Sequence, residues 1–502
     1  MNDRLWSFAH RLGSRFFGFA PPLALALVAS LAAGCGGSSS GGGTGTTFSG
    51  NTAVVVLASS TANDQLFQFS FGLKSLTLTS QSGQTVSLLA SPVGEEFMHL
   101  NGRVEPLTTV SVPQGVYTSA AATITEAYPA CAGQSPGTLL IDEALGGING
   151  PTGGSIEPAQ PITVTGSAMG LVLDLLVSKT APFIGGCSQG LTNAVAITPT
   201  FSLTPISIAA QPTNSANGKI VGIEGLISSV SANGSGFTAG ALYSDNEGNP
   251  VPAWQVSVNG NTTFQGVGSA AGLAAGLPVD MDLVIEPDGS LLATRVAVYD
   301  TDATSLNLAF GPPLSIFTSG GYQAVYPVMD ALQVEQGGYL SSLWGGYGDL
   351  NNATPQISGQ LTNLQSLPFA ATFSPANLVD GQNILFSTHT PQPTPFQPVT
   401  TLTLLPQTID GTVSAISSEG NFTTYTVTLA AYDLFPNLAV QPGQLTLLTN
   451  PNTVVIYADS NTQMLNSTSL EVGGLFRFYG LVFNDNGTLR MDCAQVNDGV
   501  AE

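Results

Sequence analysis

The chain has 502 residues, with 32 Asp plus Glu against 10 Lys plus Arg and a formal net charge of −22. So acidic a chain repels polyanions and has too few cations to neutralise a phosphate backbone, which argues against nucleic acid as a partner. Charged residues make up only 8% of it, so the surface must be built mainly of Ser, Thr, Asn, Gln and Gly, which suits an extracytoplasmic protein better than a cytosolic enzyme.

The N-terminal stretch carries Arg4, Arg11 and Arg15, then an apolar run from Phe16 to Ala33 that is broken by Pro21 and Pro22. It finishes in Leu31-Ala32-Ala33-Gly34-Cys35, with small residues at the cut, so residues 1–34 read as a signal peptide rather than a spanning helix. Leu31, Ala33, Gly34 and Cys35 resemble the lipobox of bacterial lipoproteins. The resemblance implies a diacylglyceryl thioether on Cys35, cleavage before it and acylation of the new amino group, so the implied partner is a membrane. Two or three acyl chains anchor far better than one, because each buried CH₂ contributes about 0.8 kcal/mol. Gly36 rather than Asp follows the cysteine, and resemblance to sorted lipoproteins of two-membrane bacteria then favours the outer membrane. Residues 35–50 are rich in Gly and Ser and are expected to act as a flexible tether.

Beyond residue 50 strand signals dominate, as short runs of Val, Ile, Leu, Thr and Phe punctuated by Gly, Pro, Asn and Asp. No helix with caps and a 3.6-residue stripe is evident, although Leu361 to Leu367 could hold one turn. The expected fold class is all-β, an N-terminal β-sandwich followed by two or three small OB-like β-barrels. Residues 51–210 form the sandwich: Val54 to Leu57, Phe67 to Phe71, Leu76 to Leu78, Val86 to Leu89, Tyr117 to Thr125, Ile162 to Val164 and Leu171 to Val177 are its strands. The apolar run Ala168 to Val177 is too short to span a bilayer and reads as a buried strand. The order of these parts, with the Pro113-Gln114-Gly115-Val116-Tyr117 step, resembles an uncharacterised domain family at the N-terminus of bacterial lipoproteins. The chain departs from that family in lacking an acidic start near residue 60, where Ser59, Ser60, Thr61 and Ala62 stand, and no catalytic residues carry over. Cys131 and Cys187 fall in this region and are the first choice for a disulfide in an oxidising compartment; Cys493 is left as a small buried core residue.

Two later stretches, 218–301 and 408–498, are copies of each other. Glu224-Gly225-x-Ile227-x-x-Val230 matches Asp410-Gly411-x-Val413-x-x-Ile416, and further on Gly276 is matched with Gly474, Leu283 with Leu481 and Val298 with Val496. The changed offset requires a 12-residue insertion in the second copy, most simply in a loop. Each ends in a hairpin, turning at Pro287-Asp288-Gly289 and at Asn484-Asp485-Asn486-Gly487. The pattern resembles tandem OB-like barrel domains of unknown function. Residues 302–407 are assigned to a degenerate third copy through Val379-Asp380-Gly381-Gln382 and Val399 to Leu405.

Little catalytic chemistry is legible. His99 and His389 lie in different domains and are assigned to structure or surface, so a Ser/His/Asp site or a His-rich metal site would need an unusual arrangement. No cofactor motif occurs, so catalytic residues, metal and cofactor are all expected to be absent. Asp245, Glu247 and Asn249 alternate as calcium ligands do, but the plainer reading is a polar turn; Asp280 with Asp282 and Asp300 with Asp302 are the other carboxylate pairs. Tyr339, Trp344, Tyr347 and Asp349 form the best candidate binding surface, unless those rings plug the end of a barrel core. The expected role is a non-enzymatic, lipid-anchored envelope protein that binds a glycan or an envelope protein or serves as a structural module. The alternative is a carbohydrate-binding or carbohydrate-active protein using residues 337–351.

Overall fold

A computed structural model describes residues 48–61, 66–132, 139–141, 152–157, 161–177, 200–206, 208, 219–243, 249–302, 306–311, 313–319, 322–327, 331–333, 347–358, 364–389, 396–430, 433, 435–436, 448–465 and 470–498. The signal peptide, Cys35, nearly all of the tether, Cys187, Tyr339 and Trp344 lie outside them, as does the side chain of Cys131. Among the described residues the chain is all-β, and the one turn expected near Leu361 to Leu367 is a 3₁₀ turn at Leu364–Ser366.

The first sheet is built from β1 (Asn51–Ser60), β2 (Leu66–Ser80), β3 (Thr85–Ser87), β4 (Val93–Glu96), β5 (Glu105–Pro113), β6 (Gly115–Ala132), β7 (Leu139–Ile141), β8 (Thr152–Glu157), β9 (Ile162–Val164), β10 (Ala168–Leu175) and β11 (Thr200–Ile206). Its order is β3-β2-β6-β8-β11-β10-β1-β5, with β4 on β2 and both β7 and β9 on β6. The pairs β1/β10 and β8/β11 are parallel and the rest antiparallel. Strands from the two ends share one core, in which Val54 and Val56 meet Phe71, Leu73, Ile124 and Leu173, so the sheet is folded over on itself as a sandwich. Val55 and Leu57, on the other face of β1, join Ile220, Met281 and Leu283 in a second core. That is why Val54-Val55-Val56-Leu57 reads as a continuous apolar run: a strand covered on both faces has no polar side to alternate with.

The second core belongs to a barrel of β12 (Lys219–Val230), β13 (Gly236–Ala241), β14 (Ala253–Ser257), β15 (Thr263–Gln265), β16 (Pro278–Ile285) and β17 (Leu291–Val298). Its order, β14-β13-β12-β16-β17, closes on itself because β14 also pairs in parallel with β17. Between this barrel and its repeat come β18 (Asn307–Gly311), β19 (Pro313–Ser319), β20 (Tyr322–Pro327), β21 (Ala331–Gln333), β22 (Tyr347–Asp349), β23 (Thr354–Ile357), β24 (Ile384–Thr388), β25 (Phe396–Pro398) and β26 (Thr401–Leu404). The repeat itself is β27 (Gln407–Glu419), β28 (Phe422–Leu429), β29 (Thr453–Ala458), β30 (Gln463–Leu465), β31 (Leu475–Asp485) and β32 (Thr488–Asp498), with the order and closure of the first barrel.

Register corrects part of the sequence alignment. Gly225 faces Val279 in the first barrel and Gly411 faces Phe476 in the second, which agrees with the Gly225/Gly411 match. Gly276, however, donates to the Ile227 carbonyl as Gly473 donates to that of Val413, and both have positive φ, so Gly473 rather than Gly474 is its counterpart. Leu283 pairs across a bulge with Ala293 as Gly480 pairs with Cys493, and Met281 pairs with Val296 as Phe478 does with Val496. Leu481 and Val298 are therefore displaced from the partners the sequence suggested, the second copy having three more residues between Gly480 and Cys493 than the first has between Leu283 and Ala293. The longer connection of the second copy lies between β28 and β29. The middle segment keeps part of the same plan: β18 pairs antiparallel with β24, β24 with β26, and β26 in parallel with β23. Gly381, just before β24, has the same positive φ as Gly276 and Gly473.

Candidate functional site

Among residues the sequence left without a role, the segment between β4 and β5 gathers the most chemistry. β4 pairs with β2, placing Glu95 opposite Phe71 and Glu96 opposite Ser70. Phe97 then stacks on Phe71 in the sandwich core, with ring centroids 4.5 Å apart, and the chain tightens into the 3₁₀ turn Met98–Leu100. Glu96 holds this turn. Its Oε1 accepts from the backbone N–H of Phe69 and of Met98, each at 2.9 Å, and its Oε2 accepts from the N–H of His99 at 2.9 Å.

The same Oε2 lies 3.2 Å from His99 Nδ1, and that contact fixes the ring. His99 Nε2 is then aimed at Glu105 Oε2, 3.3 Å away, and Glu95 Oε1, 3.9 Å away. Tyr243 covers one face of the imidazole, stacked at 4.0 Å with 15° between planes. The side chains of Glu95, Glu96, His99 and Glu105 are all buried. Burial opposes a charge on His99, but hydrogen bonds to Glu105 and Glu96 and the charges of both outweigh it, raising its pKa to about 10. Burial first, and the Glu105 charge second, push the Glu95 carboxyl well above the usual carboxylate range.

The turn after His99 is gripped from two sides. Arg103 donates to the His99 carbonyl through Nε at 2.9 Å and Nη2 at 2.6 Å, and to the Gly222 carbonyl of the first barrel at 2.7 Å. Its guanidinium lies 5.4 Å from the ring centre of Tyr479, in the second barrel, and 3.6 Å from Glu224. Tyr243 and Tyr299 donate to the two oxygens of Glu224, at 2.8 and 2.9 Å. From the second barrel, Gln495 donates to the Gly102 carbonyl at 2.7 Å, Thr408 donates to that of Asn101, and Arg477 donates to the Ser60 carbonyl at 2.8 Å.

The carboxylates singled out in the sequence separate into different roles. Asp280 and Asp282 share one face of β16, and Arg295 across the hairpin pairs with both, at 2.8 and 2.9 Å. They are an internal ion triad, not a calcium site. Asp300 pairs with His389 at 3.1 Å and caps Asp302 N–H, and Asp485 pairs with Arg490. Asp245 and Glu247 lie outside the described residues. Of the aromatic cluster only Asp349, half-buried and capping Asn351 N–H, has a described side chain; Tyr347 is placed by its backbone in β22. Cys493 is free and fully inside the second barrel, and burial pushes its thiol up, as expected of a core residue. A cleft of about 460 Å³ between the first barrel and the middle segment is lined by Gln265, Tyr299, Asp300, Gln356 and Thr403. Among the described residues its lining presents one carboxylate, Asp300.

Residues 224–297 match a family described as a domain of unknown function, DUF5666. The match begins at Glu224, within β12, and ends within β17, so it spans most of the first barrel. No curated protein matches the chain. Of the Glu95–His99 cluster only His99 stood out in the sequence, assigned to structure or surface. The local signal was present in Glu95-Glu96-Phe97-Met98-His99, two acids in an apolar stretch set three and four residues before a histidine. Glu105 and Tyr243 carried no such signal, since only the fold brings them to the ring.

Proposed function

We propose that the protein is a non-enzymatic, lipid-anchored cell-envelope protein whose β-domains form one rigid body for binding or for envelope organisation. The lipobox-like Leu31 to Cys35 supports the anchor and the Gly/Ser-rich stretch supports a tether. Among the described residues no helix is long and apolar enough to cross a membrane. The observation that carries the rigid-body reading is the grip on residues 101–103: Arg103 is held by Gly222 while Gly102 and Asn101 are held by Gln495 and Thr408, so sandwich and both barrels meet in one buried polar junction. A scaffold that presents a fixed surface needs such joints, since interdomain contacts without them leave the domains free to reorient.

The test is cell fractionation with mass spectrometry. The mature N-terminus is expected at Cys35 with a diacylglyceryl thioether, and Cys35→Ser is expected to release the protein from the membrane fraction. A wild-type chain that leaves the envelope unmodified would end the anchor reading. Binding to a glycan array that is lost in Trp344→Ala would move the role to carbohydrate recognition.

A further inference from the structure

Glu95, His99 and Glu105 place two carboxylate oxygens and an imidazole nitrogen within 4.8 Å of one another. Around a tetrahedral ion with bonds of about 2.1 Å the donor atoms stand roughly 3.4 Å apart. The distances from His99 Nε2 to Glu105 and Glu95, 3.3 and 3.9 Å, lie close to that spacing. Glu96 on Nδ1 is the outer partner that metal-ligating histidines use to hold tautomer and ring orientation, and it leaves Nε2 as the ligating atom.

A second observation points the same way. Glu95 Oε2 and Glu105 Oε1 are buried and accept no hydrogen bond from any described residue, although the side chains are 0% and 1% exposed. Buried carboxylate oxygens are ordinarily satisfied by donors or by a cation. The nearby guanidinium of Arg103 is committed to the His99 and Gly222 carbonyls and to Tyr479. Two carboxylates with one imidazole suit a borderline divalent transition metal, whereas calcium takes six to eight oxygens.

We propose that Glu95, His99 and Glu105 bind one divalent transition-metal ion of the zinc type, with Glu96 orienting His99 and a fourth position left for water. This replaces the expectation of no metal, goes beyond the envelope reading and does not depend on it. The ion joins β4 to β5 across the turn that both barrels grip, so its binding stabilises the junction.

The experiment uses the full-length protein, stripped with a chelator and titrated with zinc chloride alone. One equivalent per chain is expected, with a rise in the unfolding temperature. The Glu95→Gln, Glu105→Gln double variant is expected to bind at least about tenfold more weakly. Asp485→Asn, whose carboxylate pairs with Arg490, is expected to bind as the parent does. A wild-type protein that takes up no zinc, or a double variant that takes it up equally well, overturns the proposal. If the double variant does not fold by circular dichroism, zinc-edge absorption on the wild type decides. One imidazole nitrogen with carboxylate oxygens at about 2.0–2.2 Å supports the site, and a sulfur-containing or oxygen-only shell overturns it.

Discussion

Asp280, Asp282 and Arg295 show what a buried charge costs and what keeps it in place. Burial raises the Asp280 carboxyl despite the pull of Arg295, and the triad persists because the guanidinium reaches both acids while Ser358 donates to Asp280 and Gly222 N–H to Asp282. Removing the cation strands two carboxylates, so Arg295→Met is expected to cost about 3–5 kcal/mol in urea unfolding; a loss below 1 kcal/mol would mean the acids simply take up protons. Asp433 gives a pH handle. Its burial, with the Asp410 carboxylate adding to it, raises the pKa to about 8, against about 3.9 in an unfolded chain. The folded protein therefore holds a proton the unfolded chain lacks between those values, and this contribution is complete below about pH 4 and lost as pH rises through 8. The unfolding temperature is expected to fall from about pH 5 to about pH 8, and Asp433→Asn to remove part of that slope. Equal slopes in both proteins would refute the assignment.

Among the elements, the hairpins were the most legible, because two or three turn residues decide them. Asn486 and Gly487 both have positive φ, as the two-residue turn between Asp485 and Thr488 requires. At Glu286 to Ser290 only Gly289 does, closing a three-residue loop in which Gly289 donates to the Glu286 carbonyl. Strand register beyond these turns was not legible, since bulges at Leu283 and Gly480 slide the following residues in ways the apolar pattern tolerates. Gly222 separates backbone strain from packing. It has φ +68, and a Cβ there would strike the Tyr479 hydroxyl, whereas Gly234 at φ +67 has open space around it. Gly234→Ala is expected to cost about 1–2 kcal/mol through the left-handed backbone alone. Gly222→Ala should cost more, and Tyr479→Phe should restore part of the difference in a double-mutant cycle. Equal losses for the two alanines would show that the barrels do not press together at this point.

Across the whole molecule, shared cores are the dominant feature. Val55 and Leu57 of the sandwich sit in the core of the first barrel, Tyr243 and Tyr299 of that barrel pack with Leu308 and Phe310 of the middle segment, and Leu481 and Phe483 of the second barrel pack with Phe386 and Leu402. Exposing any one domain would bare apolar surface on its neighbour. Calorimetry of the full-length protein is therefore expected to show one unfolding transition, and a separate early transition for a barrel would contradict this coupling.

By itself, the sequence determined the strand-rich class, the doubled barrel, the hairpin turns and the burial of β10. These depend on period and turn chemistry within a few residues, which the chain carries locally. Only the tertiary structure decided that Glu105, Tyr243, Arg103 and Tyr479 surround His99. Arg103 and Glu105 stand within six residues of His99, but Tyr243 and Tyr479 come from distant strands, and no local pattern predicts that these will meet. Packing of sheets brings them together, and the penalty for burying each one unpaired selects which arrangement survives.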